Sequence, residues 1–157
     1  MTVKLSTVED TRAFGRALGK LLRAGDLVVL AGPLGAGKTV LVQGIAEGLG
    51  VAGPVTSPTF VIARVHPGPV PLVHVDAYRL GWGADPRAEI DDLDLDADLA
   101  DSVVVVEWGE GLVEQLADAH LLVRIDRHDD DTRTVELTGR GGDWPQRVSR
   151  LDPGYGA

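Results

Sequence analysis

Gly32-Pro33-Leu34-Gly35-Ala36-Gly37-Lys38-Thr39 reads G-x-x-x-x-G-K-T, the pattern of a loop that cradles phosphates. Leu27-Val28-Val29-Leu30 precedes it as a short apolar run of strand type. Behind it, Leu41, Val42, Ile45, Ala46 and Leu49 recur at helical spacing. Strand, glycine loop and helix together give the motif a mechanism. The glycines let the backbone curl so that several N–H groups point inward at a polyphosphate. The helix N-terminus adds its partial positive charge. Gly35, Ala36, Gly37, Lys38, Thr39 and Val40 are therefore the candidate nucleotide-binding set. Within it Lys38 can reach the outer phosphates, and the Thr39 hydroxyl can ligate Mg²⁺.

The chain around this loop has 157 residues, 44% of them hydrophobic, enough for a sizeable core. One domain is expected over 1–140, with a polar, glycine-rich and flexible tail over 141–157. There is no cysteine, so neither a disulfide framework nor a thiolate metal site is possible. The first residues lack the apolar core of a signal peptide, and the longest apolar run, Val103 to Val106, is strand-sized. The expectation is a cytoplasmic protein without a membrane partner. A formal net charge of −9 argues against holding RNA directly, which calls for a basic face.

Ser6 or Thr7, followed by Glu9 and Asp10, has the chemistry of a helix start. The helix is expected to run to Arg23, with Phe14, Ala17, Leu18, Leu21 and Leu22 on one face and Gly25 as its left-handed cap. Gly48 and Gly50 are expected to end the helix after the loop. Thr56-Ser57-Pro58-Thr59-Phe60 reads either as a plain loop into a strand or as a segment that senses a terminal phosphate. Phe60 to His66 and Leu72 to Asp76 form a hairpin, which makes the sheet mixed. Asp76 and Arg79 come at the end of an apolar strand, a usual place for site residues in open α/β sheets, or else they form an ion pair that holds a loop. His74 reads as structural or surface. Acids crowd 85–101, but the glycine and the twelfth-position glutamate of a calcium loop are missing, so a solvated acidic face is the reading. Val103 to Val106 reads as a strand buried on both faces, and Glu107 directly after it stands where phosphate-binding proteins hold the acid that organises Mg²⁺. Trp108 is its neighbour. A short helix over 112–117 and a second hairpin, 121–127 with 133–137, complete a three-layer α/β/α domain of the P-loop NTPase type.

GPLGAGKT at 32–39, TSPTF at 56–60, HVDAYRL at 74–80 and VVVVEWGEG at 103–111 together closely resemble the TsaE (YjeE) family. The resemblance implies a small ATP- and Mg²⁺-dependent ATPase needed for the threonylcarbamoyl modification of adenosine 37 in tRNAs. It would act through the TsaB and TsaD proteins and touch tRNA only indirectly, with a monomer expected when alone. By position it implies Lys38, Asp76 and Glu107 as catalytic, Thr39 and Glu107 at the metal, and Val8 and Thr11 beside the adenine. Ser57, Thr59, Asp76, Tyr78, Arg79 and Trp108 would sense the nucleotide or the partner. Pro33 and Gly109 depart from residues common in the family, at positions that give no side chain to the phosphates. Two other classes stay open on the residues: a small-molecule or nucleoside kinase, and a nucleotide-gated binding module with incidental hydrolysis. No Gln or Arg finger is evident, so isolated turnover is expected to be slow. The charge balance gives a first prediction. Purified alone, the chain should bind tRNA weakly at physiological salt in a filter-binding assay, and tight binding that falls steeply with added salt would contradict it.

Overall fold

A computed structural model describes residues 2–32, 37–51, 63–76, 101–107, 119–130 and 132–151, with backbone alone at 63, 64 and 76. Its elements are β1 (Thr2–Leu5), α1 (Val8–Leu21), β2 (Leu27–Ala31), α2 (Lys38–Leu49), β3 (Ala63–His66), β4 (Leu72–Asp76), β5 (Val103–Glu107), β6 (His120–Arg127), β7 (Arg133–Arg140) and α3 (Trp144–Val148). The strands form one seven-stranded sheet in the order β1-β7-β6-β2-β5-β4-β3. β6, β2, β5 and β4 run parallel through its centre, and antiparallel pairings with β7 and β3 flank them. Both expected hairpins are present. The expected segments at 52–62, 77–100 and 108–118, including the helix at 112–117, lie outside the described residues.

Alternation along the strands divides the sheet into two faces. Val28, Leu30, Val103, Val105, Leu121, Val123, Ile125, Val135 and Leu137 join the core that α1, α2 and α3 cover. Leu27, Val29, Val104 and Val106, on the other face, are also fully buried. β1 was not expected. It carries the same period-two signal, with Val3 and Leu5 buried and Thr2 and Lys4 exposed, but over four residues. Pairing with β7 decides it, through the register Val3 to Val135.

Thr7 caps α1, its hydroxyl accepting from the Asp10 N–H at 3.0 Å. Asp10 in turn accepts from the Ser6 N–H at 3.2 Å, so the first turn is tied down from both sides. The helix stops at Leu21, where Leu22 turns extended, and Gly25 bends the following loop instead of capping. α2 continues through Gly48 to Leu49, and the left-handed Gly50 closes it.

Gly48 is inside the helix for a steric reason. A Cβ on Gly15 would stand 2.5 Å from the Leu41 carbonyl oxygen, and on Gly19 2.3 Å from that of Ile45. Conversely, a Cβ on Gly44 or Gly48 would meet the Arg12 or Arg16 carbonyl oxygen at 2.3 Å. The two helices touch backbone to backbone along G-x-x-x-G rows. Gly15 faces Gly44 and Gly19 faces Gly48, so the helices run in the same direction. Arg12 and Arg16 both reach Glu47 across the seam, and these pairs hold the Glu47 carboxyl below its ordinary range.

The region after Gly139 differs from the expected polar tail. β7 continues to Arg140, and α3 packs Trp144 onto the backbone at Gly139, where a Cβ would come within 2.4 Å of the Trp144 Cβ. Arg147 then makes a bidentate pair with Asp26, Nη1 and Nη2 each donating at 2.6 Å. Nη1 also donates to the Leu21 carbonyl at 3.1 Å, and the guanidinium lies 3.9 Å from the Trp144 ring centre. Asp26 and Arg147 are buried, so each satisfies a charge that would otherwise be stranded. Residues 152–157 lie outside the described set.

Gly44→Ala tests the seam. Alanine favours a helix by about 1 kcal/mol over glycine, whereas forcing two backbones apart costs roughly 1–3 kcal/mol. Because the clash is with a carbonyl and not a flexible side chain, a net loss of stability is expected in urea unfolding. An unchanged or raised midpoint would contradict the close contact.

Candidate functional site

β2, β4, β5 and β6 are parallel, so their C-terminal ends share one edge of the sheet. The glycine loop leaves β2 at that edge, and α2 starts there. Because α1 runs in the same direction as α2, its N-terminus lies at the same end. Val8 and Thr11 thereby lie at the end of the helix pair where α2 starts. Thr11 is buried, with its hydroxyl donating to the Thr7 carbonyl at 3.3 Å, while Val8 is 48% exposed.

Of the loop, Gly32 and Gly37 are described, whereas Gly35 and Ala36 are not. Gly32 has φ +143°, and a Cβ there would lie 2.2 Å from the Ile125 carbonyl oxygen of β6. Glycine is thus required twice over, by conformation and by the neighbouring strand. Gly37, at φ +107°, forms the N-cap of α2 without a side-chain cap, and no acid occupies the first turn. The helix N-terminus therefore meets an anion with no competing carboxylate of its own helix. Lys38 is 6% exposed and its Nζ donates to the Gly32 carbonyl at 2.7 Å, so the ammonium folds back to the residue that opens the loop. Thr39 and Val40 follow in the first turn.

The chain also brings a cation here that sequence reasoning missed. A Cβ on Gly37 would stand 3.0 Å from Nε of Arg133, so this side chain lies against the loop. Arg133 opens β7 opposite Arg127, at the C-terminal end of β6. Its sequence signal, one basic residue after an acidic turn, carries no hint of that placement.

Glu107 ends β5 in register with Leu30 of β2 and with Asp76 of β4. The sheet sets Asp76 and Glu107 side by side, next to the strand that feeds the loop. Glu107 is 5% exposed, and its Oε2 lies 2.7 Å from Nε2 of the fully buried His74. His74 was expected to be structural or surface. The missed signal is its place two residues before Asp76, which puts it on one strand face with a diagonal reach to Glu107. Ser57, Thr59, Tyr78, Arg79 and Trp108 lie outside the described residues, so their assignment rests on the resemblance. Among the described residues no group of three or more His, Cys, Asp or Glu could hold a metal ion by itself. A divalent ion at Thr39 and Glu107 would take most of its oxygens from phosphate and water, as Mg²⁺ commonly does.

This is an α/β P-loop NTPase-like fold, with its candidate site where the loop, two helix N-termini and a buried strand-end acid converge. Comparison with known proteins narrows the class. The family model described as threonylcarbamoyl adenosine biosynthesis protein TsaE matches residues 5–135. A Streptomyces coelicolor protein named tRNA threonylcarbamoyladenosine biosynthesis protein TsaE is 63% identical over 141 residues, 85% of this chain and 93% of that protein. A Bacillus subtilis protein of the same name is 38% identical, covering 91% of this chain and 88% of its own. The crystal structure of Bacillus subtilis YdiB superposes with a TM-score of 0.77 at 31% identity, over 96% of this chain and 93% of that one. The chain belongs to the TsaE family, whose proteins take part in tRNA threonylcarbamoyladenosine biosynthesis.

Proposed function

We propose that this chain binds and hydrolyses Mg²⁺-ATP for the machinery that forms N6-threonylcarbamoyladenosine at position 37 of tRNAs, and that it works through the TsaB and TsaD proteins. The observation that carries this reading is the juxtaposition of an uncapped helix N-terminus, the Lys38 ammonium folded back to the residue that opens the loop, and the buried Glu107 carboxylate one strand away. Phosphates entering the loop would accept from the first amides of α2 and draw Lys38 off the Gly32 carbonyl. That exchange replaces a neutral acceptor with a charged one, which strengthens the bond the ammonium makes. Bound Mg²⁺ would neutralise phosphate charge, held by the Thr39 hydroxyl and, directly or through water, by Glu107. The exposed Val8, at the start of α1, would offer the adenine an apolar contact.

Asp76, in register with Glu107, belongs at the terminal-phosphate side of this site. Together with Ser57, Thr59, Tyr78, Arg79 and Trp108 it would report whether ATP or ADP is bound, since ATP alone offers the terminal phosphate. A monomeric switch that binds its partners in one nucleotide state fits the acidic surface, which gives tRNA little to hold.

The test is ATP turnover by the chain alone and with TsaB and TsaD, beside two variants. Lys38→Ala should lose ATP binding or turnover while still folding. Glu107→Ala should keep ATP affinity and lose hydrolysis, because the cradle amides persist while metal placement in the transition state does not. Unchanged binding and turnover in Lys38→Ala would overturn the loop assignment. Survival of kcat within about twofold in Glu107→Ala, ~0.4 kcal/mol of barrier, would reduce Glu107 to a strand-end residue.

A further inference from the structure

We infer that His74 is a positioning residue for Glu107, holding its carboxylate in the orientation that a divalent ion at this site requires. The inference rests on the Mg²⁺-ATP reading above and adds a residue to it. His74 is fully buried on β4, and its Nε2 stands 2.7 Å from Oε2 of Glu107. A carboxylate oxygen accepts, so Nε2 carries the hydrogen and donates. The other ring nitrogen, Nδ1, is buried and meets no hydrogen-bond partner among the described residues. Among the described residues the ring makes one hydrogen bond, and it goes to the Glu107 carboxylate.

The geometry accounts for the choice of residue. Register places His74 opposite Val105, two residue pairs below the Asp76–Glu107 row and on the same face of the sheet. A rigid imidazole there reaches diagonally up to Glu107 with one flexible torsion fewer than glutamine. It fixes Oε2 and leaves Oε1 as the oxygen available to a metal ion or its water. Carboxylate ligands are oriented in this way by outer hydrogen bonds, and removing such a bond commonly costs about 10–100-fold in metal affinity or activity. His74 therefore acts through Glu107 and touches neither nucleotide nor metal.

Two substitutions separate this role from a structural one. His74→Gln puts an amide nitrogen close to the position of Nε2, whereas His74→Asn ends near Nδ1, short of Glu107. Both bury one amide, so their burden on folding is similar, and thermal melts record it. The readout is Mn²⁺ affinity in the presence of a non-hydrolysable ATP analogue, by electron paramagnetic resonance on the full chain, with ATP turnover alongside. His74→Asn should weaken Mn²⁺ binding and lower kcat by about tenfold or more, with KM for ATP little changed. His74→Gln should stay within about threefold on both. Added to Glu107→Gln, His74→Asn should cause no further loss, because its effect passes through the missing carboxylate.

Equal losses in Asn and Gln, no loss in either, or additive losses on Glu107→Gln would overturn the inference. Failure of the unsubstituted chain to bind Mn²⁺ with the analogue would instead overturn the Mg²⁺-ATP reading, and this inference with it. One measurement needs no His74 variant. Ring ¹⁵N spectra of the unsubstituted chain should show His74 with its hydrogen on Nε2, shifted by Glu107→Gln, and a hydrogen on Nδ1 would contradict the assignment.

Discussion

The backbone contact between α1 and α2 sets where every other element of the sheet's helical face must lie. Four glycines let the helices approach until carbonyl oxygens of one lie over Cα atoms of the other. No larger residue could replace any of them without moving a helix. The contact fixes direction as well as distance, so the N-termini of α1 and α2 point to the same edge of the sheet. That edge also receives the ends of β2, β4 and β5, and with them the loop, Asp76 and Glu107. One steric device in the core thus assembles a site whose parts are dispersed along the sequence.

A second device holds α1 from the far side. Arg147 of α3 reaches back to Asp26 and to the carbonyl of Leu21, the last residue of α1, and Trp144 is seated over Gly139. A buried ion pair adds little over an apolar replacement, but losing one partner strands the other at a cost of about 3–5 kcal/mol. Asp26 lies in the turn between α1 and β2, and it also accepts from the Arg23 N–H at 2.7 Å. Burial pushes the Asp26 carboxyl above its ordinary range against the pull of its arginine partners. The C-terminal helix is therefore part of the frame that positions α1, and through the glycine seam it also supports α2.

The strand and helix that flank the loop, and the place of Glu107 at a strand end, were legible because each has a local signature: an apolar run, helical periodicity, and a carboxylate directly after four valines. Both hairpins were legible from their turns. What escaped depends on contacts between distant segments. Gly15, Gly19, Gly44 and Gly48 look like weak points in helices until the partner helix is present. β1 is too short to stand without β7. Trp144 and Arg147 sit in a polar, glycine-rich stretch whose composition hides two anchors. His74 alternates with valines as any strand residue does, and register alone brings it to Glu107. Arg133 likewise gains its place from the β6–β7 hairpin. Composition describes how a segment meets water, whereas these residues are defined by which other segment they meet.

If the glycine seam builds the proposed nucleotide site, the edge where α1 and α2 begin should respond to nucleotide as one surface. Amide NMR of the ¹⁵N-labelled chain during titration with Mg²⁺ and ATP reads out that response residue by residue. Saturable shifts are expected at Gly32, at Gly37 to Val40, and at Val8 and Thr11 across the seam, with Glu107 joining when Mg²⁺ is present. Shifts confined to other surfaces, or shifts at α2 with Val8 and Thr11 unmoved, would contradict a site shared by the two helices.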